Sequence, residues 1–327
     1  MRFAAPSASK PDFQDTMNTG TARPPYASMN GEIVPFADAR ISIMAPGLTF
    51  AVLAFEGLRA YWNPKDAELY LFRVKEHLDR LAFTESVVEI DDTPDADALN
   101  GEMQALIMAC DFHEDIYVRL QTFVDDWGDM GATGPGGRSI IARARGRTAA
   151  FHEGRRFGVS SWRRNAEDAS PSRIKASANY LNSRLVGLEA KRNGYDAAVI
   201  LNHDGTVSEG PGGCIFLMRN GCFATPPGTA GILESVTRQT ILDIAGDVDV
   251  VTEERGIGRT ELYLAEEAFY CGTGQEIVPI LSFDGKPVGE GAPGPATRRL
   301  QTHYDDVVRG RIAKYKHWLT PVYTTEE

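Results

Sequence analysis

Residues 175–216 read KASANYLNSRLVGLEAKRNGYDAAVILNHDGTVSEGPGGCIF, and three local patterns follow one another in that run. Tyr180 to Arg192 has helical spacing, with Leu181, Leu185, Leu188 and the adjacent Val186 as the expected buried stripe. Asn193-Gly194 stops the helix, because glycine accepts the left-handed position past a helix end. Ala197 to Asn202, Val207 to Glu209, Cys214 to Met218 and Cys222 to Ala224 then read as a strand meander that turns at Asp204-Gly205 and Asn220-Gly221. Lys175 precedes the helix among Ala and Ser. Partial desolvation in such a place lowers an amine pKa and makes it a nucleophile for carbonyl carbon. Taken alone, the residue reads first as a snorkelling surface lysine.

Upstream, Met29 to Val34 reads as a hairpin about Asn30-Gly31 and Phe50 to Phe55 as a buried helix or strand. Leu58 to Tyr61, Ala67 to Phe72, Ile116 to Val124 and Ser139 to Arg147 read as strands, and Glu76 to Glu85 and Ala98 to Ala109 as helices. Arg143, Arg145 and Arg147 recur at period two and so share a face. That face is either a solvated or salt-bridged edge or the entrance for a polar or acidic substrate. Downstream, Thr237 to Ala245, Glu261 to Ala265 and Pro295 to Lys314 read as helices and Ala268 to Cys271 as a strand. Strand-rich and helix-rich segments alternate irregularly, which predicts a mixed α/β (α+β) fold over a regular doubly wound sheet. The expected division is a flexible extension at 1–25, a small N-terminal α/β domain at 26–148, a linker at 149–155 and a larger domain at 156–327.

The chain has 327 residues, 43% of them hydrophobic and 24% charged, which is globular composition with room for two domains. A net charge of −11 argues against nucleic-acid binding, which needs an excess of Lys and Arg. The four cysteines show no CxxC spacing and no nearby His, so no metal site is expected, and free thiols of a cytoplasmic protein are. No apolar run approaches the roughly 20 residues of a membrane span.

Further pieces carry chemistry. Glu209 precedes Gly210-Pro211-Gly212-Gly213, where the lack of side chains lets a flat ligand come close. Ile232 to Arg238 runs into a helix, whose first amides suit a phosphate, and Gly272-Thr273-Gly274-Gln275 offers another hydroxyl. A nucleophilic lysine, an acid and a phosphate cradle are the parts of a pyridoxal 5′-phosphate (PLP) site.

The run at 175–216 resembles the core signature of the class IV (fold type IV) aminotransferases, and of the branched-chain amino-acid aminotransferases in particular. The resemblance continues upstream through FEGLRAYW, LFRVKEHLDRL and YVRL. Downstream it continues through ATP, VTRQTILDIA, YLAEEAFYCGTGQEI, VGEGAPGPATRRLQ and HWLTPV. It implies a small α/β domain and a larger one around an irregular β-barrel, as in the D-amino-acid aminotransferase-like fold. It also implies PLP as cofactor, and a homodimer or higher oligomer whose sites the partner completes. The implied reaction moves an amino group between an amino acid or amine and a 2-oxo acid (2-oxoglutarate or pyruvate).

By the same resemblance, Lys175 is the Schiff-base lysine, Tyr180 binds the cofactor's phenolic oxygen and Glu209 pairs with its ring nitrogen. Arg73, Val236, Thr237 and Thr273 hold its phosphate, and Leu233 packs on the ring. Tyr117 and Arg119 hold substrate carboxylates, Phe55 walls the pocket, and Thr273 and Gly274 face the substrate. Departures from the pattern are Phe50 in place of a tyrosine, Gly213-Cys214 after the Glu-Gly pair, Leu233-Glu234-Ser235-Val236, and Gly274-Gln275 for two alanines. Other readings of the same chain are an (R)-selective amine or D-amino-acid transaminase, an aminodeoxychorismate-type lyase, and a noncatalytic PLP-binding protein.

Overall fold

A computed structural model describes residues 23–324, so most of the expected extension at 1–25 lies outside the described residues. In chain order the strands are β1 (Tyr26–Met29), β2 (Glu32–Pro35), β3 (Leu53–Asn63), β4 (Glu68–Phe72), β5 (Ile116–Val124), β6 (Gly136–Ala144), β7 (Arg155–Arg163), β8 (Ala197–Leu201), β9 (Cys214–Arg219), β10 (Cys222–Thr225), β11 (Val251–Glu254), β12 (Ala268–Gly272), β13 (Glu276–Phe283), β14 (Lys286–Pro287) and β15 (Leu319–Pro321). The α-helices are α1 (Pro46–Thr49), α2 (Val74–Val88), α3 (Ala96–Cys110), α4 (Ala149–Glu153), α5 (Tyr180–Arg192), α6 (Val236–Ile244) and α7 (Pro295–Val308).

Two sheets result. One is seven-stranded, in the order β15-β4-β3-β5-β6-β1-β2. The other is eight-stranded and mixed, in the order β11-β10-β9-β12-β13-β7-β8, with β14 pairing β13. Bridges at Leu201–Val207 and Thr206–Gly258 carry the second sheet round from β8 to the segment after β11. The two Asn-Gly hairpins form as expected. Asn30-Gly31 and Asn220-Gly221 all have positive φ, the geometry that matches strand twist in a two-residue turn.

Strand period two sorts β3 into two roles. Ala54, Leu58 and Ala60 join one core with α2 and α3, to which β5 adds Ile116, Val118 and Leu120. The alternate residues, Phe55 and Gly57 on β3 and Tyr117 and Arg119 on β5, line a cavity towards the second sheet. A second core packs α6 and α7 on that sheet through Ile241, Ile244, Leu300 and Val307.

Four expectations are corrected. On α5 the buried face is Ser183, Val186 and Ala190, whereas Leu181 is 63% and Leu188 40% exposed. Small residues let that helix approach β8, where Val186 and Ala190 pack on Ala198 and Ile200. The terminal helix stops at Val308, because Gly310 takes φ +72° and the chain turns into a 3-10 helix at Ala313–Trp318. Part of the expected linker is helix α4, anchored by buried Phe151. Val207 to Glu209 makes single bridges, not a strand.

No helix among the described residues is long and apolar enough to cross a membrane, and no group of three His, Cys, Asp or Glu among them could hold a metal ion. All four cysteines are free, including the register partners Cys214 and Cys271.

Candidate active site

Backbone pairing delivers Lys175 to the junction of the two sheets. Phe55 N–H donates to the Lys175 carbonyl at 3.1 Å, Ala54 bridges Ala176, and the Lys175 N–H donates to the Thr84 hydroxyl at 3.0 Å. The amine then projects into a cavity of about 220 Å³. There Nζ donates to the Tyr180 hydroxyl at 2.9 Å and lies 4.8 Å from the Phe55 ring centre. Tyr180 opens α5 and packs edge-on against Phe55, with 4.8 Å between centroids.

Glu209 lines the same cavity and is 5% exposed. Its Oε1 meets Arg164 Nη2 at 2.6 Å, and Oε2 accepts from Leu233 N–H at 3.2 Å and from the Cys214 thiol at 3.7 Å. Burial raises its pKa against the pull of Arg164. The bend after Glu209 needs Gly213, where a Cβ would stand 2.3 Å from the Cys271 carbonyl oxygen. Gly57 is required as well, because a Cβ there would stand 2.0 Å from the Tyr117 hydroxyl.

The structure brings Phe55, Tyr117, Arg119, Lys175, Tyr180, Glu209, Leu233, Thr273 and Gly274 to this one cavity. Thr237 sits beside it, its hydroxyl 3.5 Å from that of Thr273. Val236 lines a neighbouring hollow behind Ser235. The first amides of α6, at Val236 and Thr237, have no intrahelical acceptor and are free for an anion.

Arg73 is not at the cavity, which corrects its expected place. Its side chain is spent on Glu76 (2.7 Å), Thr240 (3.0 Å) and Asp243 (3.3 Å), with its guanidinium stacked 4.4 Å over Trp318. The arginine that does line the cavity is Arg80. Glu56 holds it through Nε at 2.7 Å and Nη2 at 2.8 Å, and its Nη1 donates to the Glu234 carbonyl at 2.7 Å. The sequence reading also missed Arg164 and Ser235 at this site. Ser235 had a local signal, as the N-cap serine of α6. Phe50 lies outside the cavity and is 47% exposed.

Of the three period-two arginines, Arg145 lines the cavity and gives an N–H to the Gly274 carbonyl at 2.7 Å. Arg147 is a structural cation on Glu276 (3.0 Å) and Asp305 (2.7 Å). Arg143 stands 5.7 Å from the Tyr117 ring centre.

This donor set fits PLP. It has an amine beside a phenol, a buried carboxylate across the cavity, an apolar Leu233, and hydroxyls with an arginine at one end. The fold and this site together suit an enzyme whose phosphorylated aldehyde cofactor would sit between the two sheets. The family model described as amino-transferase class IV matches residues 53–283. A probable branched-chain-amino-acid aminotransferase of Aquifex aeolicus is 38% identical over 302 residues, 91% of this chain and 97% of its own. The crystal structure of a branched-chain aminotransferase from Thermoproteus uzoniensis with norvaline superposes with a TM-score of 0.87 at 37% identity, covering 91% of this chain and 99% of its own. That of the Thermobaculum terrenum branched-chain amino acid aminotransferase in PLP-form gives 0.86 at 38%, covering 92% and 99%. The chain belongs to the class IV aminotransferases, within the branched-chain-amino-acid aminotransferase family.

Proposed function

We propose that the chain is a PLP-dependent transaminase that moves an amino group between an amino acid and a 2-oxo acid, with branched-chain amino acids, the class its relatives are named for, among its donors. The observation that carries this reading is the Lys175 amine 2.9 Å from the Tyr180 hydroxyl, in one cavity with buried Glu209. Arg80, Ser235, Thr237, Thr273 and the first amides of α6 would hold the phosphate. Tyr180 would meet the phenolic oxygen, Glu209 the ring nitrogen, and Leu233 the ring face. When bound, the cofactor supplies the carbonyl that amines condense with and a ring that accepts electron density.

The chain's residues do the rest. Lys175 would hold the cofactor, and its amine would be the base within reach of the proton to be moved. Arg164, against one oxygen of Glu209, favours its ionised form and fixes its direction, so that a protonated ring nitrogen finds an anion in a water-poor site. Tyr117 and Arg119, two apart on β5, offer a hydroxyl and a guanidinium to a carboxylate.

We also propose the two-domain division at 26–148 and 156–327, with β15 returning to the first sheet, and a homodimer built on exposed apolar side chains.

Purified protein is expected to absorb in the visible, and Lys175→Ala to lose that band while keeping its circular dichroism. An unchanged band in the variant would overturn the assignment. Amino donors screened against 2-oxoglutarate and pyruvate then read the reaction itself. Pyruvate released without an acceptor would indicate the lyase instead.

A further inference from the structure

Behind the cavity of about 220 Å³ lies a larger hollow of about 660 Å³. Arg80 and Ser235 line both, so the partition between the two is one residue thick there. That partition is the end of the cavity assigned to the phosphate. Tyr117, Arg119 and Gly274 do not line the hollow, which therefore meets the cavity away from the substrate-facing side chains. Two segments of the chain close its rim. Glu234 puts its backbone carbonyl on Arg80 Nη1 at 2.7 Å and its carboxylate 3.2 Å from Arg173 Nε. Arg173 also donates from Nη2 to the Gly228 carbonyl at 3.3 Å. Arg173 stands two residues before Lys175, and Glu234 one before the N-cap of α6. The pair thus ties the segment that carries the amine to the segment that carries the phosphate-facing amides. The Glu234 side chain is 65% and that of Arg173 41% exposed, so the tie is weak and opens readily. Glu234 lies in the run Leu233-Glu234-Ser235-Val236 that departs from the family pattern, so the resemblance does not supply this contact.

We propose that the hollow is the port through which the phosphorylated end of the cofactor enters and leaves, and that the Arg173–Glu234 ion pair is the latch across it. The proposal rests on the PLP reading above and adds a route and a gate to it. A latch acts on a barrier: it slows entry and exit by the same factor and leaves affinity alone. A charge that merely sits near the phosphate acts on affinity instead, and in opposite senses for Glu234 and Arg173.

The test uses pyridoxamine 5′-phosphate, which has the ring and the phosphate but cannot condense with Lys175. Protein loaded with it is mixed with excess PLP, and the visible band grows at the rate at which the first compound leaves. Calorimetry gives the affinity. Glu234→Ala and Arg173→Ala are each expected to speed release about threefold, the scale of an exposed ion pair, with affinity unchanged. The double variant should be no faster than either, because both remove one interaction. Gln239→Trp, which puts bulk into the hollow from the exposed side of α6, should slow release severalfold with the latch intact. Three results would overturn the proposal: release unchanged in both single variants, affinity shifted in opposite senses by them, or release from Gln239→Trp as fast as from wild type. The last decides even if an Arg173 variant fails to fold. Exchange that ignores these substitutions in a protein that turns over amino donors defeats the port alone. Gated exchange with no donor turned over defeats the transaminase reading alone.

Discussion

Arg73 and Arg80 stand seven residues apart, two helical turns, so spacing alone gives them one face and cannot choose between them. The structure chooses through context. Arg73 takes a left-handed backbone at the N-cap of α2 and ties that helix to α6 and Trp318. Arg80 lies a turn past His77, above buried Glu56, with its remaining edge towards the cavity. Arg80→Lys keeps a charge beside Glu56 but loses the planar fork, so we expect PLP to bind about tenfold more weakly in equilibrium dialysis, with a lower thermal midpoint because buried Glu56 loses one of its two bonds. Arg73→Ala should retain PLP and lose about 1–3 kcal/mol of stability in denaturant titration. Loss of PLP from Arg73→Ala instead would return the phosphate role to that residue. The same contrast says which site residues were legible. Lys175, Tyr180, Glu209, Leu233 and Thr273 sit in short runs whose local pattern is their context. Arg80 and Arg164 owe their places to contacts from distant parts of the chain, which no local spacing encodes, and period two marked Arg145 only as one of three arginines on a shared face.

Element types were legible where one local force dominates, as in the Asn-Gly hairpins and the periodic helices α2, α3 and α6. They failed where tertiary approach overrides apolar count. On α5, Ser183, Val186 and Ala190 face inward because bulkier residues would hold the helix away from β8, and two leucines are left on the surface. A second group of exposed apolar side chains runs through and beside α1: Ile43 is 80%, Leu48 56% and Phe50 47% exposed. Apolar groups gathered this way mark contact with another chain. The proposed homodimer would have residues 41–50 at its interface. Light scattering should give twice the chain mass, and Ile43→Asp combined with Leu48→Asp should give a monomer. A monomeric wild type at micromolar concentration would refute the arrangement.

Acid should unsettle the whole molecule in two stages, through one buried cluster that joins the first sheet to α2. Glu56 accepts from Arg80 and lies 2.7 Å from His77 Nδ1, with Glu56 and His77 buried and the Arg80 side chain 11% exposed. Burial works against the Glu56 charge, yet Arg80 and His77 outweigh it and hold the carboxyl below its ordinary 4.5. Burial holds His77 below its ordinary 6.5, against the attraction of Glu56, whose charge Arg80 already answers. Both native groups therefore resist protonation while the unfolded chain accepts it. Stability at neutral pH should decline as pH falls through about 6.5 on account of His77, and further through about 4.5 on account of Glu56. Glu209 acts in the opposite sense, since its raised pKa favours the folded form as it takes up a proton, and bound PLP with a protonated ring nitrogen would remove that term. The clean measurement is the thermal midpoint of holoenzyme between pH 7 and 5.5, for wild type and for His77→Asn. Asparagine keeps a donor towards Glu56 but does not titrate, so the variant should lose much of the decline in this first window. A decline of equal depth in both proteins would show that His77 does not link pH to folding.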